Sequence, residues 1–308
     1  MEMDIVGIGT VAMDVLLEVD SLPKEDGFAV IGKRNYLPGG SGTNVIVQAS
    51  RLGARTGFVA QIGDDQLGEE IRSSLVAEKV DARGLIVKKG GTSLHTEIVV
   101  DGEGKKFILL DLGDAFLDLP AGAVDLDYVR KARVLYTDLL PGGPAIAALK
   151  AAKAAGLTTV FNMQVGLGQM EGFGVSKDAI LEALSCVDVF APCRDGLMAL
   201  AGAATVEAAA ATIRKRFGGL LLVTLGGEGS VAFEAGSETR VPIRKVAVKD
   251  TTGAGDSYIG AFMVARFLKG MGLREAMGFA TAAAAFTCRG LGARSSPTLD
   301  QLEGFLAE

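Results

Sequence analysis

The sequence predicts an α/β fold, a doubly wound and mainly parallel sheet with a small β-sheet inserted, in a single domain over residues 1–308. Three observations predict it. From residue 134 onward short apolar runs alternate with amphipathic stretches at helical spacing. Two glycine-rich turns, at 38–44 and 250–256, each open an apolar helical run. Two stretches, about 14–36 and 85–111, leave the alternation for β-forming residues.

The first strand is expected at 4–8 and ends in Gly7-Ile8-Gly9-Thr10-Val11-Ala12, which superficially fits the dinucleotide-binding pattern. That pattern requires a helix next, whereas 14–20 is an extended run of Val and Leu, and 28–36 is a further strand. After Pro38-Gly39-Gly40-Ser41-Gly42-Thr43-Asn44, the positions Val45, Ala49 and Leu52 predict a helix that stops at Gly53. A strand at 56–62 and a helix at 67–78 follow. Runs at 85–87, 96–100 and 106–111, separated by Gly90-Gly91 and Asp101-Gly102-Glu103-Gly104, read as hairpins. The alternation then gives strands at 134–137, 158–162, 187–191 and 220–225, with helices at 143–155, 177–184, 194–201 and 206–217. The turn Gly226-Gly227-Glu228-Gly229 leads into β-runs that reach 248, and helices at 258–267, 273–288 and 298–307 close the chain.

Composition narrows the function classes. Lys and Arg number 31 against 37 Asp and Glu, a net −6 with no basic stripe, which argues against a nucleic-acid partner. No apolar run is long enough to span a bilayer, and the start Met1-Glu2-Met3-Asp4 is acidic where a signal peptide is basic, so a soluble cytoplasmic protein with no membrane partner is expected. Cys186, Cys193 and Cys288 lack paired spacing and read as free thiols. His95 is the only histidine, which excludes His-rich metal sites.

The chemistry-bearing residues sit in the two glycine turns. In Asp250-Thr251-Thr252-Gly253-Ala254-Gly255-Asp256 no bulky side chain hides the backbone amides, and a helix N-terminus with free N–H groups suits a phosphate or a developing oxyanion. Asp256 reads in two ways: a carboxylate favourably placed on a helix dipole, or a base beside an anion hole, ready to take a proton from an alcohol as its oxygen attacks phosphorus. In the other turn, Gly39 and Gly40 would let a small ligand approach the backbone, and Asn44 carries a donor and an acceptor on one amide.

Together these motifs resemble the ribokinase-like (PfkB) carbohydrate kinase family over essentially the whole chain. The resemblance is carried by Gly39 to Asn44 with Arg51-Leu52-Gly53 and Gly63-Asp64-Asp65 behind it, by Val223-Thr224-Leu225-Gly226-Gly227-Glu228-Gly229, and by Asp250 to Asp256. It implies a ribokinase-like fold with a β-sheet lid and ATP-dependent phosphorylation of a small sugar-like alcohol. By the same resemblance Asp14, Gly39, Gly40 and Asn44 bind substrate. Asp256 is the base, and Gly253, Ala254 and Gly255 form the anion hole. Thr224, Gly226, Gly229 and Thr281 lie at the nucleotide, and Asp250 and Thr252 belong to a monovalent-cation (potassium) site. Where the family carries Asn-x-x-Glu near Mg2+, this chain has Pro192-Cys193-Arg194-Asp195-Gly196, so Asp195 is the candidate to reach magnesium through water, with Arg194 a candidate for phosphate. Ser41 stands where ribokinases commonly carry Lys. A nucleoside kinase of the same fold and a catalytically silent sugar- or nucleotide-binding regulator are the alternatives. The lid segments, with exposed edges and one face needing cover, predict a homodimer.

Overall fold

The computed structural model describes residues 2–308; Met1, part of the acidic start, lies outside the described residues. The first half of the chain forms β1 (Ile5–Ile8), β2 (Ala12–Val19), β3 (Ile31–Gly39), α1 (Ser41–Arg51), β4 (Thr56–Gly63), α2 (Gln66–Ala77), β5 (Val80–Asp81), β6 (Leu85–Lys88), β7 (His95–Val100) and β8 (Lys106–Asp111). The second half adds α3 (Leu126–Arg130), β9 (Val134–Thr137), α4 (Gly142–Ala154), β10 (Thr158–Phe161), α5 (Leu167–Gly172), α6 (Lys177–Leu184) and β11 (Val189–Phe190). It continues through α7 (Arg194–Ala201), α8 (Val206–Arg214), β12 (Leu220–Thr224), β13 (Ser230–Glu234), β14 (Ser237–Val241), α9 (Ala254–Met263), α10 (Leu273–Thr287) and α11 (Leu299–Ala307).

The main sheet has the order β14-β13-β12-β11-β10-β9-β1-β4-β5, with β6 also paired to β4. All its pairings are parallel except those of β12 with β13 and β13 with β14. Every residue of β1 and β4 is buried, as expected of central parallel strands covered on both faces, where apolar runs replace alternation. From β1 the chain builds first towards β4 and later towards β9, so the order reverses at β1 and β9. Their carboxyl ends border the crevice where such sheets hold ligands. There the Thr10 amide donates to Asp138 Oδ2 at 2.8 Å.

A separate sheet has the order β3-β2-β7-β8. Its outer strand β8 is exposed along its whole length. Residues 85–88 were expected to belong with it, but β6 lies parallel to β4 in the main sheet. A short β-forming run carries no information about which sheet it joins. The strand expected from residue 28 begins at Ile31, and the β-run expected to reach 248 ends at Val241. The helix expected to reach 267 leaves α-geometry after Met263 and continues as a π-helical turn, Val264–Leu268.

Candidate active site

The two glycine turns meet because α1 and α9 pack against each other. Gly260 makes this possible: a Cβ there would lie 2.5 Å from the Val45 carbonyl oxygen and 2.9 Å from Gln48 Cβ. Each helix starts from a glycine at positive φ, Gly40 at 83° and Gly253 at 78°, and neither start is capped by a side chain. Asp256, in the first turn of α9, therefore faces the first turn of α1. Its Oδ1 accepts a hydrogen bond from Ser41 Oγ, and its Oδ2 accepts one from Asn44 Nδ2 at 3.0 Å. The residue is half-buried. Burial pushes its pKa up, and the Ser41 and Asn44 donors pull in the opposite direction.

Asp14 reaches the same place from β2, its Oδ1 accepting from Thr96 Oγ1 at 2.5 Å. A Cβ on Gly39 would sit 2.7 Å from Asp14 Oδ2, and one on Gly40 would sit 2.6 Å from the Ala12 nitrogen. At Gly40 the close backbone of residues 10–12 leaves no room for a side chain, while Gly39 leaves room for the Asp14 carboxylate. Asp138, fully buried at the end of β9, is pushed by burial up to about 6, with the Thr10 and Leu140 amides opposing the shift and the charge of Asp256 adding to it.

On the other side of α9 lies a cavity of about 1030 Å³ lined by Thr224, Gly226, Gly229, Ala254, Gly255 and Thr281, among others. It collects all four residues expected at a nucleotide. Thr281 is 8% exposed and its Oγ1 has no hydrogen-bond partner, an orphan suited to a ligand. A Cβ on Gly255 would meet nothing within 4 Å, so the helix start is sterically open here, although the Ala254 amide already donates to the Thr251 carbonyl at 3.2 Å. Asp195, in the first turn of α7, lines the same cavity. Arg194 also lines this cavity, and its guanidinium braces the glycine turn there, donating to the Leu225 carbonyl at 2.9 Å and to Glu228 at 2.6 Å. Burial raises the pKa of Cys193 and keeps it a thiol. Among the described residues no cluster of three or more His, Cys, Asp or Glu side chains could hold a metal ion. Asp250 and Thr252 do come together: Oδ1 of Asp250 accepts from the Thr252 amide at 2.9 Å and its hydroxyl at 2.7 Å, and Oδ2 accepts from the Gly292 amide at 2.9 Å.

Three side chains at the site escape a reading of the sequence. Ser41 was noticed only for standing in place of a lysine, yet it donates to Asp256. Asp138 and Arg294 lie in stretches with no motif, and Arg294 Nε donates to Asn44 Oδ1 at 3.2 Å.

Comparison with known proteins identifies the family. The chain is 30% identical over 308 residues to the ATP-dependent ribose-1-phosphate kinase of Halopiger xanaduensis, covering 99% of this chain and 98% of that one. It is 26% identical to the ribokinase of Mus musculus, covering 95% and 91%. The solved structure of a ribokinase from Thermotoga maritima superposes with a TM-score of 0.84 at 26% identity, over 99% of this chain and 100% of that one. The profile of the pfkB family carbohydrate kinases matches residues 3–299, and with that match spanning almost the whole chain, the protein belongs to the pfkB family of carbohydrate kinases.

Proposed function

We propose that the protein transfers the γ-phosphoryl group of ATP to a hydroxyl of a small sugar or sugar-like alcohol. One observation carries the reading: Asp256 stands between a cleft that holds Asp14, Ser41 and Asn44 and the open start of α9 that faces the Thr281 cavity. Phosphoryl transfer asks the protein chiefly for alignment and charge stabilisation, and this arrangement supplies both. Asp14 and Asn44 hold acceptor hydroxyls, with Gly39 and Gly40 shaping the turn beside them. Asp256 takes the proton of the attacking hydroxyl, and the N-terminal dipole of α9, at Gly253, Ala254 and Gly255, stabilises charge on the phosphoryl oxygens. Thr224, Gly226, Gly229 and Thr281 receive the nucleotide. The relatives' names support a sugar acceptor.

Magnesium, bound to the nucleotide phosphates, would neutralise their charge there. The chain's own oxygens suit a mostly hydrated ion, with Asp195 within the same cavity reaching it through water. Potassium is assigned to the neighbourhood of Asp250 and Thr252, where three protein donors already share the Asp250 carboxylate, so backbone carbonyls would complete its shell.

The test is an ADP-release assay over a panel of sugars and sugar phosphates, with the metal ions omitted in turn. Asp256→Asn keeps size and hydrogen bonding but loses basicity, so kcat should fall about 10²- to 10⁴-fold with much smaller changes in binding. A variant that turns over at the wild-type rate would reduce Asp256 to a dipole partner and end this reading.

We further propose that a second copy covers the small sheet. Ile108, Leu109 and Leu110 of β8 are 53%, 55% and 53% exposed, and an apolar edge strand left open is a pairing hazard. Light scattering at micromolar concentration should give twice the chain mass; a monomer removes the proposal.

A further inference from the structure

We propose that Arg294 is a positioning residue for the base: it fixes the amide of Asn44 so that the nitrogen, and not the oxygen, meets Asp256. The inference rests on Asp256 being the base of the proposed reaction. A guanidinium has only donors and a carboxylate only acceptors, whereas an amide has one of each. Asn44 stands between them, 6% exposed, with Oδ1 accepting from Arg294 Nε at 3.2 Å and Nδ2 donating to Asp256 Oδ2 at 3.0 Å. Turning the amide over would set donor against donor and acceptor against acceptor, so both neighbours select the same rotamer.

The remaining contacts of Arg294 show that its charge is not there for an ion pair. Nη1 donates to Ser74 Oγ at 3.3 Å and Nη2 to Thr43 Oγ1 at 3.4 Å, both neutral hydroxyls. No ion pair within 4.0 Å involves Arg294 among the described residues, although Glu78 and Asp14 are close enough to favour its charge. Burial pushes its pKa down to about 10, and the group remains charged at neutral pH. The loop that carries it is held in turn: Arg51 Nη1 donates to the Arg294 carbonyl at 2.7 Å and to the Ser296 carbonyl at 2.7 Å, while Arg51 Nε pairs with Glu78 at 2.9 Å. A half-buried cation kept without a carboxylate partner is costly. Its hydrogen-bonded link to Asp256 is the Asn44 amide.

The experiment is a double-mutant cycle read by pH profile. Arg294→Met should lower kcat about 10- to 100-fold, the worth of one hydrogen bond to a charged group. It should also move the acid limb of kcat/KM up by about one pH unit, because a base that loses a donor holds its proton to higher pH. Arg294→Lys, which still donates, should restore part of both. In an Asn44→Ala background Arg294→Met should add almost nothing. Should Arg294→Met fail to fold, Asn44→Asp replaces it: it still accepts from Arg294 but turns an oxygen to Asp256, and must move the acid limb up. Equal effects of Arg294→Met in both backgrounds, or an acid limb that stays in place in the variant measured, would overturn the relay. Failure of the base reading is separate, since it is registered by Asp256→Asn retaining the wild-type rate.

Discussion

The starts of α1 and α9 use the same local device and serve opposite ends. Both begin at a glycine with positive φ, both lack a side-chain cap, and the two helices touch through Gly260. Around α1 the space is filled by protein: a Cβ on Gly40 would lie 2.6 Å from the Ala12 nitrogen, and one on Gly42 would lie 2.6 Å from the Thr10 nitrogen and 3.0 Å from Asp138 Oδ2. At α9 the second residue, Gly255, faces open cavity. Both N-cap glycines are packed against backbone, Gly253 against Ala293, and the starts differ two residues on, where α1 is sealed at Gly42 and α9 is left open at Gly255 so that something can be placed on it. A glycine therefore has a steric reason that the sequence alone leaves ambiguous.

Substitutions separate the two. Gly40→Val combines a φ of 83° with a clash against backbone, and should cost roughly 3 kcal/mol or more of stability, read as a lower denaturant midpoint. A fold as stable as wild type would show that the sealed start is not sealed. Gly255→Val should leave stability within about 1 kcal/mol yet raise the KM for ATP about tenfold or more, since it fills the open side. If instead the protein unfolds while ATP affinity is kept, the comparison is inverted.

A pH-dependent effect concerns Asp138, which lies on the sealed side. Its folded pKa, about 6, stands above its ordinary value near 3.8, so the folded chain holds the proton more tightly than the unfolded one. Stability should therefore fall as pH rises between about 4 and 6, by at most about 1.4 kcal/mol per unit, and the loss should be complete above that window. Thermal melts of Asp138→Asn across this range should lose this contribution and show a shallower fall than wild type, while Asp256, whose pKa is also raised, adds to the fall and carboxylates whose pKa is lowered, such as Asp65 and Asp188, oppose it. Identical slopes would mean that Asp138 is not the titrating group.

What was legible in the sequence follows the same division. Features written in consecutive residues, the two glycine turns, the apolar helices after them and Asp256 in a first turn, are found where expected. Features that depend on distant partners are not legible: Ser41 meets Asp256 across 215 positions, and Arg294 meets Asn44 across 250. Neither Ser41 nor Arg294 belongs to a pattern whose chemistry names its partner. Residues 85–88 show the same limit for the fold, because a four-residue β-run can pair with either sheet and only the packed chain decides.

Asp14 stands on the small sheet, and Asp256 on α9, whose Tyr258 hydroxyl donates to Ser230 Oγ of β13 in the large sheet. Lys106, on the outer strand of the small sheet, also lies near enough to Asp250 to help lower its pKa. Any acceptor that engages both carboxylates bridges the small sheet and α9, and any nucleotide at the start of α9 meets the same helix. The two ligands then share a mechanical element. Reciprocity follows from thermodynamics: whatever factor by which the acceptor tightens the nucleotide, the nucleotide must tighten the acceptor by the same factor.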